Sequence, residues 1–177
     1  MEEFVILVDE HDREAGVAGK LAVHTSGLLH RAFSVFVFNE GNEMLIQRRA
    51  HTKYHSPGLW SNACCGHPRP GELVLESAER RLWEEMGFVI PLRERFSFLY
   101  RADLGSGLIE HEYDHVLLGC FSGVPEPAAD EVSEWRWVGL KTLTADIASV
   151  PSRYTIWFRI ALVQMEARNL LNELTRV

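Results

Sequence analysis

The 177-residue sequence has no lysine or arginine cluster of the kind that binds nucleic acid, no long apolar run and only three cysteines. Its 18 basic and 25 acidic residues give a net charge of −7, so it lacks the basic footprint that nucleic-acid binding needs. The longest apolar runs, such as 33–38, fall far short of the ~20 residues that span a bilayer. The N-terminus is acidic, whereas a secretory signal starts basic. We expect a cytoplasmic protein with no nucleic-acid and no membrane partner.

The cysteines do not form a convincing disulfide framework. Cys64 and Cys65 are adjacent, a bridge between neighbours is strained, and Cys120 would be left unpaired. Reduced thiols in a reducing compartment fit better. The 46% hydrophobic and 24% charged residues are typical of a globular protein, and no internal repeat is present. At this length we expect a single domain over 1–177.

Apolar periodicity and turn residues predict strands mixed with a few helices. Strands are expected at 4–8, 31–38, 44–49, 96–102, 108–121 and 133–138, and a polar turn at 9–19. Turn residues at 39–42 and 103–107 predict two hairpins. Helices are expected at 72–86, 140–148 and 154–174, the first with apolar Leu75, Ala78, Leu82 and Met86 and a stop at Gly87. These elements predict an α/β domain with a mixed sheet between helical layers.

The first of these helices carries a recognisable motif. From Gly66 the sequence continues with five residues, Glu72, seven residues and then RRLWEEMGF. This spacing resembles the Nudix box, a loop-helix-loop motif, but Arg81 stands where Nudix hydrolases carry a glutamate. Helix carboxylates in those hydrolases hold cations that activate water, so a cation here should weaken hydrolysis. Taken alone, the run would also fit a solvated helix face with i,i+4 ion pairs.

Two glutamates alternate on the predicted strand 108–121. Glu110 and Glu112 are two residues apart and therefore face the same side, while His111 points away. Neighbouring carboxylates repel unless a cation or a shared proton compensates. An edge strand with its polar face in water would also explain a single pair of this kind.

In combination, these features are similar to the type 1 isopentenyl-diphosphate isomerases, a family of Nudix-fold enzymes, over nearly the whole sequence. The landmarks occur in order: Lys20, His24, His30, the segment RRAHTKYHSPGLWSNACCGHP at 48–68, the altered Nudix helix, Tyr100-Arg101-Ala102, Glu110-His111-Glu112 and Trp157. The resemblance implies a Nudix-type α/β/α sandwich with a mixed β-sheet. It also implies interconversion of isopentenyl diphosphate and dimethylallyl diphosphate, a homoallylic and an allylic small molecule, by protonation and deprotonation.

The resemblance further implies a metal site and a pair of proton-transfer groups. The metal ligands carried over are His24, His30, His67, Glu110 and Glu112. This set suits Mn²⁺ or Mg²⁺, and its imidazoles also admit Zn²⁺. We expect the Glu112/Tyr100 side to protonate isopentenyl diphosphate and Cys65 to accept the proton lost, with nearby cations lowering the pKa of the thiol. Trp157 would face the intermediate carbocation with its ring.

A diphosphate-binding set is implied in the same way. It consists of Lys20, Arg49, Lys53 and Arg81, with a substrate-borne Mg²⁺ held by Glu85 and the main chain of Cys65. Arg81 would share a helix face with Glu85 and grip the diphosphate directly. Arg48 and Arg80 are expected to be structural. Cys64, on the opposite side of the extended chain from Cys65, is expected to be dispensable.

Two other functions remain open from the sequence. One is a Nudix hydrolase of a nucleoside diphosphate derivative, against which Arg81 and the Cys65/Glu112 pair argue. The other is a metal- or thiol-dependent sensor, which has no use for a diphosphate-binding set. We expect a monomer or a weak homo-oligomer. Four histidines are expected at the surface or around the site, without an assigned role: His51, His55, His111 and His115.

Overall fold

The computed structural model describes residues 3–171, which form nine strands, four α-helices and a short 3-10 helix at Pro151–Arg153. The strands are β1 Phe4–Val8, β2 Glu14–Gly19, β3 His30–Phe38, β4 Glu43–Arg49, β5 Trp60–Asn62, β6 Cys64–Gly66, β7 Arg93–Gly105, β8 Leu108–Cys120 and β9 Val132–Gly139. The helices are α1 Lys20–Ser26, α2 Val74–Met86, α3 Leu140–Ser149 and α4 Ile156–Ala167. Within 3–171, no helix is both long and apolar enough to span a membrane.

Strand β3 lies at the centre of a mixed sheet that joins the strands of the described chain. It pairs in parallel with β8, from His30 opposite Glu112 to Phe38 opposite Cys120. Its other edge pairs antiparallel with the short strand β6, where Ser34 lies opposite Cys65. Strand β4 lies between β5 and β9, and β7 pairs with β8. Side chains from β3, β6 and β8 can therefore converge at one place.

Both faces of this sheet are covered by helices, as the predicted sandwich requires. On one face Phe36 packs against Phe158 of α4, with 6.0 Å between ring centroids. On the other face Val35 belongs to a core with Leu82 and Met86 of α2. Because alternate strand residues point to opposite faces, β3 has to be apolar along nearly its whole length. Burial of a side chain such as Leu82 or Phe158 contributes about 1.5–3 kcal/mol.

The two predicted hairpins have different outcomes. The hairpin of β7 and β8 is confirmed, with Ser106 and Gly107 at the turn in the left-handed region. The hairpin of β3 and β4 is confirmed only at its turn, because Phe38 opposite Met44 is the one residue pair that joins the two strands. Local turn chemistry reverses the chain there, but long-range pairing then takes the two strands to different neighbours.

Two elements at the N-terminal end were not predicted. The expected polar turn at 9–19 contains strand β2, which pairs with β1 as an edge strand and is mostly exposed. Helix α1 follows it directly, and of its seven residues Val23 and His24 are buried. A short helix and an exposed edge strand bury too few side chains to leave an apolar periodicity in the sequence.

The predicted helices are confirmed with shifted ends. Helix α2 begins at Val74 rather than at residue 72, and Leu75, expected on its buried face, is 43% exposed. It ends where predicted, because Gly87 has a φ of 76° and a Cβ there would lie 2.5 Å from the carbonyl oxygen of Glu126. Helix α4 spans Ile156–Ala167 instead of 154–174, and Asn169 beyond it has a φ of 58°. The expected stretch 172–174 lies outside the described residues.

Candidate active site

A cavity of about 830 Å³ lies beside β3, between strands β6 and β8 and helices α2 and α4. It is lined by most of the predicted site residues: Lys20, Arg49, Lys53, Cys65, His67, Arg81, Glu85, Glu110, Glu112 and Trp157. The three others are placed by their contacts with this set. His24 and His30 are buried against the lining carboxylates, and Tyr100 binds Glu112. The fold therefore brings all the predicted site residues together.

The five predicted metal ligands form a cluster whose ligand atoms all lie within 4.8 Å of one another. Four different parts of the fold supply them: α1, the start of β3, the residue after β6, and β8. On β8, Glu110 and Glu112 are buried on one side, while the imidazole of His111 lies 3.0 Å from the carbonyl oxygen of Gly27. The predicted alternation along this strand is therefore confirmed.

The cluster has the properties of a divalent-cation site. The Nδ1 atoms of His24 and His30 lie 2.7 and 2.9 Å from the carbonyl oxygens of Lys20 and Leu28. A carbonyl can only accept, so both rings carry a proton on Nδ1 and direct Nε2 towards the cluster, where the neutral form of each ring would present a lone pair. Nε2 of His24 and Oε2 of Glu110 are buried, 3.2 Å apart, and without a hydrogen-bond partner. A cation bound between them would remove the cost of leaving these atoms unpaired.

The remaining two ligands converge from the opposite side. Nε2 of His67 lies 3.2 Å from Nε2 of His30 and 2.9 Å from Oε1 of Glu112. Burial holds the pKa of His67 well below its usual range, and the neighbouring His30 adds to this effect. A neutral imidazole is the form that binds a metal. Burial works against ionisation of Glu112, yet His30 and Tyr100 keep the pKa of its carboxyl below the usual value.

Glu112 is also bound by the phenol of Tyr100, which lies opposite it on β7. The Tyr100 hydroxyl donates to Oε2 of Glu112 at 2.5 Å, a charge-assisted bond of short length. Burial raises the pKa of Tyr100 well above its usual value, and the charge of Glu112 adds to this effect. The phenol therefore stays protonated and available as a donor.

The two adjacent cysteines point to opposite faces of the sheet. Cys64 is fully buried in the core against α2. Cys65 lines the cavity on the other face, so the predicted difference in orientation is confirmed. Burial raises the pKa of the Cys65 thiol to about 12, an effect that Arg49 opposes but does not overcome. The expected help from nearby cations is present in Arg49, but in this structure Cys65 is a neutral thiol.

The four predicted diphosphate-binding cations line the cavity together with Arg69 and Arg80. Lys20 pairs with Glu3 at 2.7 Å, and Lys53 pairs with Glu131. Arg81 binds Glu85 at 2.6 Å, as expected for residues four apart on one helix face, and it also contacts Glu84 and Glu131. Arg49 differs from the others: among the described residues no carboxylate pairs with it, and its guanidinium lies 5.2 Å from the ring centroid of Trp157.

Glu85 is held from two sides at the C-terminal end of α2. One carboxylate oxygen accepts from Arg81, and the other accepts from the amide of Gln47 at 2.8 Å. The same amide donates to the carbonyl oxygen of Ala63 at 2.9 Å, which ties Glu85 to the chain leading into β6. Glu85 and the main chain at Cys65 are therefore parts of one connected structure. Arg80 makes ion pairs with Glu72 and Glu84. Arg48 makes an ion pair with Glu134.

Trp157 is held rigidly at the start of α4. Its indole nitrogen donates to the hydroxyl of Ser61 at 3.0 Å, and that hydroxyl also contacts Thr155. The ring of His55 meets it edge-on with centroids 5.5 Å apart, and Tyr54 packs edge-on against His55 at 4.4 Å. Burial lowers the pKa of His55 to about 3, so this ring is neutral. The cavity therefore has an aromatic wall, of which the sequence predicted only Trp157.

Asp114 is a further residue that sequence reasoning missed. It follows Glu112 by two residues on β8 and is fully buried, with one carboxyl oxygen accepting from Ser34 at 2.9 Å and the other without a partner. Burial raises the pKa of Asp114 well above its usual value, reinforced by Glu112. The alternation that indicated Glu110 and Glu112 would also have indicated Asp114. His115 instead contacts Glu94 and Asp12, outside the cavity lining.

Comparison with known proteins agrees with this fold. The sequence profile of the NUDIX domain matches residues 28–158. The crystal structure of DR0079 from Deinococcus radiodurans superimposes with a TM-score of 0.70 at 22% identity, covering 83% of this chain and 90% of that one. At that identity the likeness concerns the fold. By fold and by sequence, the chain is a NUDIX-domain protein.

Two curated relatives define its place more narrowly. Isopentenyl-diphosphate Delta-isomerase 2 of Aromatoleum aromaticum is 51% identical over 97% of this chain and 91% of its own length. Isopentenyl-diphosphate Delta-isomerase 2 of Photorhabdus laumondii is 54% identical, with 90% of each chain covered. The chain belongs to the isopentenyl-diphosphate Delta-isomerase family.

Proposed function

We propose that this protein interconverts isopentenyl diphosphate and dimethylallyl diphosphate. The observation that carries the proposal is the lining of the cavity, which brings together a thiol, a carboxylate bound by a phenol, an aromatic wall and the four predicted diphosphate-binding cations. Each part answers a requirement of this reaction. A hydrolase needs neither Cys65 nor the aromatic wall.

The reaction adds a proton to one carbon of the alkene and removes a proton two carbons away. We assign the two proton transfers to Cys65 and to Glu112 with its partner Tyr100. These groups come from β6 and β8, the strands on the two edges of β3, and both line the cavity. The pair acts in both directions, because the group that donates in one direction accepts in the other.

The intermediate is a tertiary carbocation, which needs electron-rich surroundings and protection from water. We propose that Trp157 supplies the electron-rich surface, since an indole face attracts a desolvated cation by about 2 kcal/mol. Its orientation is fixed by the bond to Ser61, and at 4% exposure it excludes solvent. The neutral rings of His55 and Tyr54 extend this wall.

We propose that Lys20, Arg49, Lys53 and Arg81 bind the diphosphate. Their guanidinium and ammonium groups match phosphate oxygens in charge and in hydrogen-bonding geometry. A Mg²⁺ arriving with the substrate would be held by Glu85 and the main-chain oxygen of Cys65. Arg81 occupies the position of a hydrolase carboxylate and lies 2.6 Å from Glu85, which favours holding the diphosphate over activating water.

A divalent metal, Mn²⁺, Mg²⁺ or Zn²⁺, is proposed for the three histidines and two glutamates of the cluster. When bound there, it would supply a Lewis acid that fixes the Glu112 carboxylate and increases the acidity of a proton on it. Chelation of the protein should lower its melting temperature as well as its turnover, because His24 and Glu110 lose their partner. Adding back each metal separately, with melting temperature as readout, identifies the ion that fits.

Incubation with isopentenyl diphosphate, Mg²⁺ and Mn²⁺ in D₂O tests the function directly. We expect dimethylallyl diphosphate with deuterium incorporated at carbon and no release of phosphate. Phosphate release without isomerisation would instead indicate the nucleotide-hydrolase alternative. Metal binding with neither product would indicate a sensor. Light scattering on the same sample tests the expected monomer or weak homo-oligomer.

A further inference from the structure

Glu131 joins two of the proposed diphosphate-binding cations and has no assigned role. It is the last residue before β9, and its carboxylate lines the cavity. One oxygen, Oε2, pairs with the ammonium of Lys53 and also lies 3.2 Å from a terminal nitrogen of Arg81. The side chains of all three residues are between 20% and 23% exposed, so the contacts are largely shielded from water.

The main chain around Glu131 is tied to both sides of the diphosphate-binding region. Its carbonyl oxygen accepts from the amide of Ala50, and Lys53 in turn donates its amide to the carbonyl oxygen of Ala50. Its own amide donates to Ala128, whose amide donates to the carbonyl oxygen of Glu85. Glu131 therefore sits at the junction of the loop that carries Lys53 and the helix that carries Arg81.

Two cations held on one carboxylate oxygen have a defined separation, which they would lack if they only repelled each other. Each keeps further N–H donors for a ligand, since an ammonium has three and a guanidinium five. A ligand with two phosphate groups can use both cations at once, whereas a monophosphate need use only one. The separation of Lys53 and Arg81 therefore bears on diphosphate recognition more than on phosphate binding.

We propose that Glu131 is a positioning residue that holds Lys53 and Arg81 at the spacing of a diphosphate, and so makes the site select a diphosphate over a monophosphate. This proposal rests on the proposed function, because it takes these two cations as the diphosphate ligands. The proposal predicts that the negative charge of Glu131 is required for tight diphosphate binding, although Glu131 is itself an acid in an anion-binding site. The alternative, that Glu131 is a competing anion that the substrate displaces, predicts the opposite change in affinity.

The test is calorimetric titration of the full-length protein with inorganic pyrophosphate and, separately, with inorganic phosphate, both in the presence of Mg²⁺. We expect Glu131→Gln to raise the Kd of pyrophosphate about tenfold, the size expected for loss of one charge-assisted contact. The Kd of phosphate should change less than twofold. Glu134→Gln is the matched control, because Glu134 pairs with Arg48 and Arg136 and lies outside the cavity lining. It should leave both values unchanged.

Two further measurements separate positioning from folding. Thermal unfolding reports whether Glu131→Gln is folded, and Glu131→Asp, which keeps the charge on a shorter side chain, should show an intermediate loss. In a double-mutant cycle, Lys53→Met should cost less pyrophosphate affinity in the Glu131→Gln background than in the wild type. Additive losses would show that Glu131 does not act through Lys53, and would overturn the proposal.

Other outcomes also test the proposed role of Glu131. Unchanged or tighter pyrophosphate binding in Glu131→Gln overturns it, as does equal weakening for phosphate and pyrophosphate, or a wild-type protein that does not bind pyrophosphate. Steady-state kinetics should show KM for isopentenyl diphosphate raised about tenfold with kcat within twofold. If the wild type binds pyrophosphate as expected but does not isomerise, the proposed function fails and the binding role of Glu131 stands. If the wild type isomerises but Glu131→Gln changes neither the Kd of pyrophosphate nor the KM for isopentenyl diphosphate, only the role of Glu131 fails.

Discussion

Removing the hydroxyl of Tyr100 should slow isomerisation without displacing the Glu112 carboxylate or lowering the metal content. Tyr100→Phe deletes the 2.5 Å hydrogen bond to Glu112 and leaves the ring in place between its neighbours on β7. Glu112 keeps its contact with His67 at 2.9 Å through the other oxygen, so the carboxylate should remain in position. The variant therefore isolates one donor to one proposed proton-transfer group.

The size of the effect follows from the kind of bond. A hydrogen bond to a charged group contributes about 1.5–3 kcal/mol, which corresponds to a loss of about 10- to 150-fold in kcat/KM if the bond persists in the transition state. The assay is conversion of isopentenyl diphosphate followed by product analysis, with the metal content of the purified variant measured alongside. A loss in this range with unchanged metal content supports the assignment.

Tyr113→Phe is the matched control for this experiment. Tyr113 follows Glu112 on β8. Its hydroxyl accepts from Ser97 at 3.2 Å, and neither residue lines the cavity. It should retain wild-type turnover. A change of less than threefold in Tyr100→Phe would refute the reasoning, and so would an equal loss in both variants, which would point to the hairpin rather than to the hydrogen bond.

The remaining predictions concern the cysteines, the altered Nudix helix and pH. Cys65→Ser should abolish nearly all turnover while Cys64→Ser retains most of it; equal losses in product assays would contradict the assignment. Arg81→Glu should raise KM for the diphosphate substrate without creating phosphate release, and unchanged kinetics would reduce Arg81 to an ion-pair partner. Arg80 holds the pKa of Glu72 at about 2, below its usual 4.5, so this pair stabilises the fold above about pH 4.5 and loses that contribution as pH falls towards 2. In urea unfolding, the free energies of unfolding of the wild type and Glu72→Gln should therefore converge as pH falls from 4.5 to 2. A difference that stays constant over this range would contradict the stabilising role of the Arg80–Glu72 pair.

One position of helix α2 departs from the Nudix box of the hydrolases. The Nudix helix is retained in its geometry, with Gly87 ending it and Glu85 held by Gln47. At position 81, however, a guanidinium occupies the place of a carboxylate and makes ion pairs with Glu84 and Glu85. The same scaffold that clusters metal-binding acids in a hydrolase thus presents a cation beside the acid that is left. This change fits a site that binds a diphosphate and performs its chemistry on the carbon chain.

Most of the cavity residues were predicted from the resemblance to the family, and a few of them also lie in recognisable local patterns. Glu110 and Glu112 follow the two-residue alternation of a strand, and Arg81 and Glu85 follow the four-residue spacing of a helix. Cys64 and Cys65 were assigned opposite orientations by the same reasoning, and the structure bears this out. Such patterns reflect backbone geometry, which acts between near neighbours and is therefore visible in the sequence.

Other features depend on contacts between distant segments. Lys53 and Glu131 are 78 positions apart, and no local pattern predicts their pairing. The neutral state of the Cys65 thiol likewise could not be inferred from its neighbours in sequence, because burial by β3 and the helices outweighs the charge of Arg49. The splayed strands of the first hairpin have the same origin, since β8, β9 and β5 supply the pairings.

The sequence by itself determined the α/β domain, through its apolar periodicity, and the family, through the spacing of its motifs; the residues of the site followed from the resemblance to that family. Only the tertiary structure decided which atoms converge: the Nε2 atoms of three histidines on two carboxylates, a phenol on Glu112, and one carboxylate between Lys53 and Arg81. The physical reason is that the properties of these groups arise from burial and from partners many residues away. Such interactions exist only once the sheet has formed and the helices have closed over it.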